Sequence, residues 1–109
     1  MATGIAINGQ KLHEVRMPME SHHKGVVSSL CYPKERIRFS LEGNMLRLAI
    51  PPLLGMELYR SGLLPQNPEC PVRIAIGGRP KGQFTVVDVR YPGGVGSSDD
   101  VMITLTRRG

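Results

Sequence analysis

Arg36-Ile37-Arg38-Phe39-Ser40-Leu41-Glu42-Gly43-Asn44-Met45-Leu46-Arg47-Leu48-Ala49-Ile50 is the stretch that decides the fold. Ile37, Phe39 and Leu41 alternate with Arg36, Arg38 and Ser40, and Leu46, Leu48 and Ile50 continue the alternation beyond Glu42-Gly43-Asn44-Met45. A period of two marks a strand with one buried face. A two-residue turn at Gly43-Asn44 pairs 41 with 46, 39 with 48 and 37 with 50, apolar on apolar. Any slip by one residue would send half of these side chains to solvent, so the pattern itself fixes the register. Glycine at the first turn position suits type II′ geometry. Phe39 and Leu48 are therefore expected side by side in the core, with Arg36, Arg38 and Arg47 on the opposite face.

Working outward, Pro51-Pro52 ends this hairpin and opens a helix, because the first helical turn has no use for the missing N–H groups. Leu54 and Leu58 lie one turn apart, Gly55 weakens the helix, and Gly62 sits where a left-handed cap belongs, with Leu63 as its apolar partner. A helix over roughly 52–61 follows. Three prolines make Leu64 to Pro71 a loop. Val72, Ile74 and Ile76 form an alternating strand, Gly77 to Gly82 a basic glycine-rich connection, and Phe84 to Val89 the return. Its apolar phase shifts between Val86 and Val87, the mark of a β-bulge. Tyr91 to Asp100 reads as a Gly/Ser loop in which Asp99-Asp100 caps the entry to a last strand of Val101, Ile103 and Leu105. On the N-terminal side, Ile5 and Ile7 run into Asn8-Gly9, a strong hairpin signal. Gln10 to Met17 is the expected return, with Leu12 opposite Ile5. Met17 to Gly25 reads as a polar loop, and Val26 to Leu30 as a short strand.

The expected fold class is a β-rich α+β domain of mainly antiparallel short strands with one short helix near 52–61, either closed as a small barrel or built as a swapped-hairpin dimer. The 109 residues suit a single domain, 1–109, with 1–24 as a candidate N-terminal hairpin or arm. Hydrophobic residues at 40 % and charged residues at 21 % are globular rather than disordered chemistry. No apolar run approaches the ~20 residues of a membrane-spanning helix, and no signal-peptide pattern opens the chain. The expectation is a cytoplasmic protein without a membrane role, in which Cys31 and Cys70 stay reduced as partly buried packing residues.

Residues from about Phe39 to Val89 read strand, turn, strand, Ile50-Pro51-Pro52, short helix ending in Gly62-Leu63, strand, glycine turn, strand. This segment resembles the swapped-hairpin DNA-binding domains of AbrB-type transition regulators and antitoxins, and the related SymE-like toxins. Leu48-Ala49-Ile50-Pro51, Gly62-Leu63 and Pro71-Val72-Arg73-Ile74-Ala75-Ile76 stand in the places of that family's motifs. The turn here is Gly43-Asn44 rather than Gly-Arg, the helix carries Glu57 and Arg60 and is not basic, and the loop before Val72 lacks Gly-Asp and is longer. The resemblance implies an obligate dimer of interleaved hairpins that contacts DNA through basic strand faces.

Charge favours polyanionic partners, although +5 is modest for a dedicated nucleic-acid binder and a GC-rich genome is the alternative source of the arginine excess. Fourteen Lys and Arg against nine Asp and Glu give a net +5, and ten of the fourteen are Arg. The guanidinium fork fits phosphate and guanine where an ammonium does not. The expected nucleic-acid contacts are Arg36, Arg38 and Arg47 on the ribbon face, with Arg79, Lys81, Arg107 and Arg108 adding charge. A solvated outer sheet face is the alternative for the ribbon arginines, as a simple hairpin loop is for Gly77 to Gly82 against an anion nest. His13, His22 and His23 with Glu14, Glu20, Arg16 and Lys24 are the materials of an acid–base or nuclease site, but no HxH or HExxH spacing supports one. Aromatic residues, at 5 %, leave few stacking platforms. The reading is a non-enzymatic nucleic-acid-binding homodimer, DNA favoured over RNA, without cofactor or metal. The alternative is an interaction, structural or inhibitor subunit of a larger phage- or plasmid-type assembly.

Overall fold

The Gly43-Asn44 hairpin forms in the register its sequence dictates. In the computed structural model, which describes residues 3–20, 27–94 and 96–108, strand β5 (Arg38–Glu42) pairs with β6 (Met45–Ile50), with Phe39 opposite Leu48 and Leu41 opposite Leu46. Gly43 takes φ +59° while Asn44 stays outside the positive region, as a type II′ turn requires. Leu46, Leu48 and Ile50 are fully buried; Phe39 and Leu41 face the same core but are only partly covered, because β5 lies at the sheet edge.

The remaining elements are β1 (Ile5–Ile7), β2 (Gln10–Lys11), β3 (Met17–Glu20), β4 (Val27–Leu30), α1 (Pro52–Arg60), β7 (Val72–Ile76), β8 (Arg79–Arg90) and β9 (Val101–Arg107). Seven strands form one antiparallel sheet in the order β2-β1-β7-β8-β9-β6-β5, and β3 pairs with β4 as a separate ribbon. The sheet is open, with β2 and β5 as its two edges, and is not a barrel. The terminal strand β9 lies in the middle of the sheet between β8 and β6, and its alternating Val101, Ile103 and Leu105 are buried.

β8 is long enough to serve two partners. Its first half pairs with β7 and its second half with β9, and Phe84, opposite both Val72 and Arg107, sits at the changeover. The expected bulge is present at Val87, which has no partner and is 56 % exposed. A second irregularity falls at Lys81, beside Gly82 at φ +103°.

Four local expectations are corrected. The return strand after Asn8-Gly9 stops at Lys11, and Leu12–Glu14 turns as a 3₁₀ helix that drops Leu12 into the core. Met17–Glu20, read as loop, is strand β3, because pairing with β4 satisfies backbone groups that the sequence pattern leaves unassigned. The connection after β7 is only Gly77-Gly78, both at positive φ, so Arg79 and Lys81 belong to β8. Cys31 and Cys70 are free but exposed, since each lies in a connecting segment rather than on a core face.

Helix α1 packs into the core with Leu54 and Leu58. Past its end, Gly62 at φ +81° donates its N–H to the Tyr59 carbonyl, and the Leu64 N–H reaches the Leu58 carbonyl at 2.9 Å. It is Leu64 rather than Leu63 that is fully buried after the cap.

Two substitutions test this packing. A Cβ on Gly55 would sit 3.7 Å from Ile50 Cδ1 and 3.8 Å from Val101 Cγ2, ordinary contact distances. Gly55→Ala should therefore raise stability by about 0.5–1 kcal/mol through helix propensity, measured by urea denaturation. Phe84→Ala should cost about 3–5 kcal/mol in the same assay, because it empties the one fully buried aromatic position among the described residues. A loss below about 1 kcal/mol would show that Phe84 is not the centre of the core.

Candidate nucleic-acid interface

Alternation along β5 and β6 places Arg38 and Arg47 on the outer sheet face, as expected, while Arg36 lies in a 3₁₀ turn, Lys34–Arg36, just before β5. The stripe is not free. Arg36 Nη2 lies 3.5 Å from Asp100 Oδ1, and Arg38 Nη2 lies 3.0 Å from Asp100 Oδ2. The Asp100 carboxylate is largely covered, at 13 % exposure, and so holds two guanidiniums at once. Asp100 is thus the counter-charge of the ribbon, while the Asp99 N–H donates to Ser97 Oγ within the loop. Arg47 stands opposite Ser40 on one side and Thr104 on the other, and forms no ion pair among the described residues.

The other expected cations converge elsewhere, where the β7–β8 hairpin meets the end of β9. Arg107 lies over the Phe84 ring, 5.3 Å from its centroid, and its Nε donates to the Lys81 carbonyl at 3.0 Å. Its Nη1 donates to Asn44 Oδ1 at 3.3 Å, so this guanidinium ties the β5–β6 turn to β8 and is a structural clasp. Arg108 follows, with its N–H on the Gln83 carbonyl at 2.7 Å and Nη1 3.4 Å from the Glu69 carbonyl. Opposite Gln83 on the other side stands Arg73, which the sequence reading passed over. Asn8 fixes it: the Asn8 N–H donates to the Arg73 carbonyl and the Arg73 N–H donates to Asn8 Oδ1, both at 2.8 Å. Its side chain points outward because Val72 and Ile74 take the core face.

Arg73, Arg79, Lys81 and Arg107 thus come from three adjacent strands, with Arg108 just past the end of β9. At ~3.3 Å per residue and ~4.8 Å between strands, their backbones lie within roughly 15 Å of one another. None has a carboxylate at ion-pair distance among the described residues. Arg36, Arg38, Arg60 and Arg90 are each paired, to Asp100, Asp100, Glu57 and Asp88. Arg73 was legible as the exposed member of Val72-Arg73-Ile74; its closeness to Arg108 was not, because 35 residues of chain separate them.

The anion-nest expectation for Gly77 to Gly82 meets a turn of only two residues, in which the Gly77 N–H is taken by the Gly4 carbonyl at 2.9 Å. Of the histidine group, His22, His23 and Lys24 lie outside the described residues, and His13 packs on Gly4. A shallow groove of about 450 Å³ runs between Gln10, Glu14, Val15 and Arg16 on one side and Glu57, Ser61 and Leu63 on the other. Ser61 Oγ there donates to the Leu58 carbonyl at 3.4 Å. Among the described residues no three His, Cys, Asp or Glu side chains converge as a metal site, and no helix is long and apolar enough to cross a membrane. No family model, curated protein or solved structure matches the chain.

Burial, and then the nearby Tyr91, push the Tyr59 phenol above its ordinary value near 10. The neutral phenol is therefore favoured in the folded state, and its contribution to stability is complete below pH 10. As pH rises through that value the unfolded chain ionises first and stability falls. Melting temperatures of wild type and Tyr59→Phe compared between pH 8 and about pH 11 should show a smaller alkaline loss in the variant. Equal losses would remove Tyr59 as the cause.

Proposed function

We propose that the protein is a non-enzymatic nucleic-acid-binding domain, DNA favoured, that grips the phosphate backbone through Arg73, Arg79, Lys81 and Arg108, with Arg47 extending the track. The observation that carries the reading is the gathering of five cations on β7, β8 and the end of β9 with no carboxylate at ion-pair distance among the described residues. Arg36, Arg38, Arg60 and Arg90 elsewhere are each neutralised; Lys11, Arg16, Lys34 and Arg47 have no ion pair among the described residues but lie outside this group. Gln83, Thr85, Thr104 and Thr106 alternate with the core residues on the outer face that Arg73 and Arg47 share, and supply neutral hydrogen-bonding groups beside them, while Arg79 pairs with Ile76 at the end of the other face. A phosphate backbone asks for this mixture. Arg107 serves by holding the strand ends together rather than by contact. A regulator or antitoxin-like role, and kinship with the AbrB-type domains, belong to the same proposal; the order strand, turn, strand, helix, strand, turn, strand over residues 39–89 supports it.

One observation favours the alternative of an assembly subunit. Leu53 and Met56 on α1 are 49 % and 69 % exposed, an apolar helix face that a protein partner could cover.

Salt titration separates the two. Duplex DNA should bind with a steep dependence on salt. Substituting Arg73, Arg79, Lys81 and Arg108 together by alanine should flatten the slope of log K against log salt by about 3–4, at ~0.9 per phosphate contact. Arg36→Ala with Arg38→Ala should change it by less than about 1, since Asp100 already holds both. No binding of DNA or RNA at ~50 mM salt would discard the nucleic-acid reading in favour of the assembly subunit.

A further inference from the structure

The edge strand β5 is complementary to itself. Among the described residues it hydrogen-bonds to β6 on one side only. A two-residue turn makes Glu42 and Met45 a hydrogen-bonded pair, and alternation then assigns Ser40–Arg47 and Arg38–Ala49 to the same class. The N–H and C=O groups of Phe39 and Leu41 therefore point away from β6, toward open space at the edge. Their side chains, on the core face, are only partly covered.

We infer that β5 pairs with β5 of a second copy, antiparallel across a twofold axis centred on Ser40. Phe39 and Leu41 exchange hydrogen bonds with the partner's Leu41 and Phe39, so the two seven-stranded sheets become one. Parity allows three symmetric registers, because only the outward-facing residues 39 and 41 can bond. Two of them, centred on 39 and on 41, overlap three residues of the strand and set Arg38 or Glu42 against serine. The one centred on 40 overlaps all five and sets Arg38 against the partner's Glu42, twice. Phe39 then meets the partner's Leu41 on the core face and each closes the gap the edge leaves in the other.

Both charged residues are free to do this. Arg38 uses one nitrogen on Asp100 and its side chain is 70 % exposed, and Glu42 is exposed. At the other edge β2 has two residues, too few for a stable ladder. Charges on an edge strand ordinarily prevent pairing. On β5 they are placed to favour one twofold register over the other two, which leave Arg38 or Glu42 opposite serine. This inference does not require nucleic-acid binding; a dimer that fails to bind DNA would leave it standing.

The test exchanges the charges. Sedimentation at micromolar concentration should give twice the 12.0 kDa of one chain. Glu42→Arg sets arginine against arginine at both ends of the ribbon, and Arg38→Glu sets glutamate against glutamate. Each variant alone should dimerise about tenfold or more weakly. Mixed in equal amounts they meet only opposite charges, and dimer should return as the heterodimer. In the wild type, the Phe39 and Leu41 amides should be protected from hydrogen exchange at dimer-forming concentration and lose that protection on dilution. This measurement needs no variant to fold. A monomeric wild type, a dimer indifferent to both substitutions, a mixture that does not recover, or unprotected Phe39 and Leu41 amides in the dimer would each overturn the proposal.

Discussion

Phe84 is the point on which the sheet turns. It lies in β8 opposite Val72 on one side and Arg107 on the other, where β7 gives way to β9 as partner. A strand of twelve residues with different neighbours along its two halves must hold both in phase with one core. Phe84 does so by filling the centre with the largest fully buried side chain. The irregularities at Lys81 and Val87, one on each side of it, let the strand bend without turning its apolar face outward.

The same position organises the charges. Arg107 rests on the Phe84 ring and spends its hydrogen bonds on the Lys81 carbonyl and Asn44, which draws the ends of β8, β9 and the β5–β6 turn together. Charge repulsion among Lys81, Arg107 and Arg108 is tolerated because the guanidinium in the middle is partly covered by the ring and held by neutral acceptors. The cationic end of the sheet is thus a product of core packing. At the other end of β9 Asp100 draws Arg36 and Arg38 in, so two of the three arginines most conspicuous in the sequence are already neutralised.

The two proposals use opposite kinds of surface. Phosphate binding rests on cations without local partners, where attraction is long in range and indifferent to register. The β5 edge rests on short-range complementarity, in which backbone groups and two charges must coincide within one strand. The main cations lie around β8 and the pairing edge is β5; only Arg47, opposite Ser40, stands beside both.

The sequence by itself determined the β5–β6 register, the helix after Pro51-Pro52, the bulge at Val87 and the strands at 72 and 101. Each of these follows from contacts between near neighbours, where a period of two or a proline leaves one arrangement that buries the apolar residues. It did not determine that Met17–Glu20 is a strand, for that segment has no periodicity of its own and is ordered by β4. Nor did it determine where β9 goes, since an alternating strand fits an edge as well as a centre. The pairing of the charges was hidden for the same reason. Arg36, Arg38 and Arg47 are neighbours in the chain and looked like the site, but Asp100 reaches the first two from more than sixty residues away. Arg73 and Arg108, distant in sequence, become neighbours only because β7 and β9 both pair with β8. Local pattern fixes which face a side chain takes; only the order of strands, set by long-range burial around Phe84, decides which charges meet.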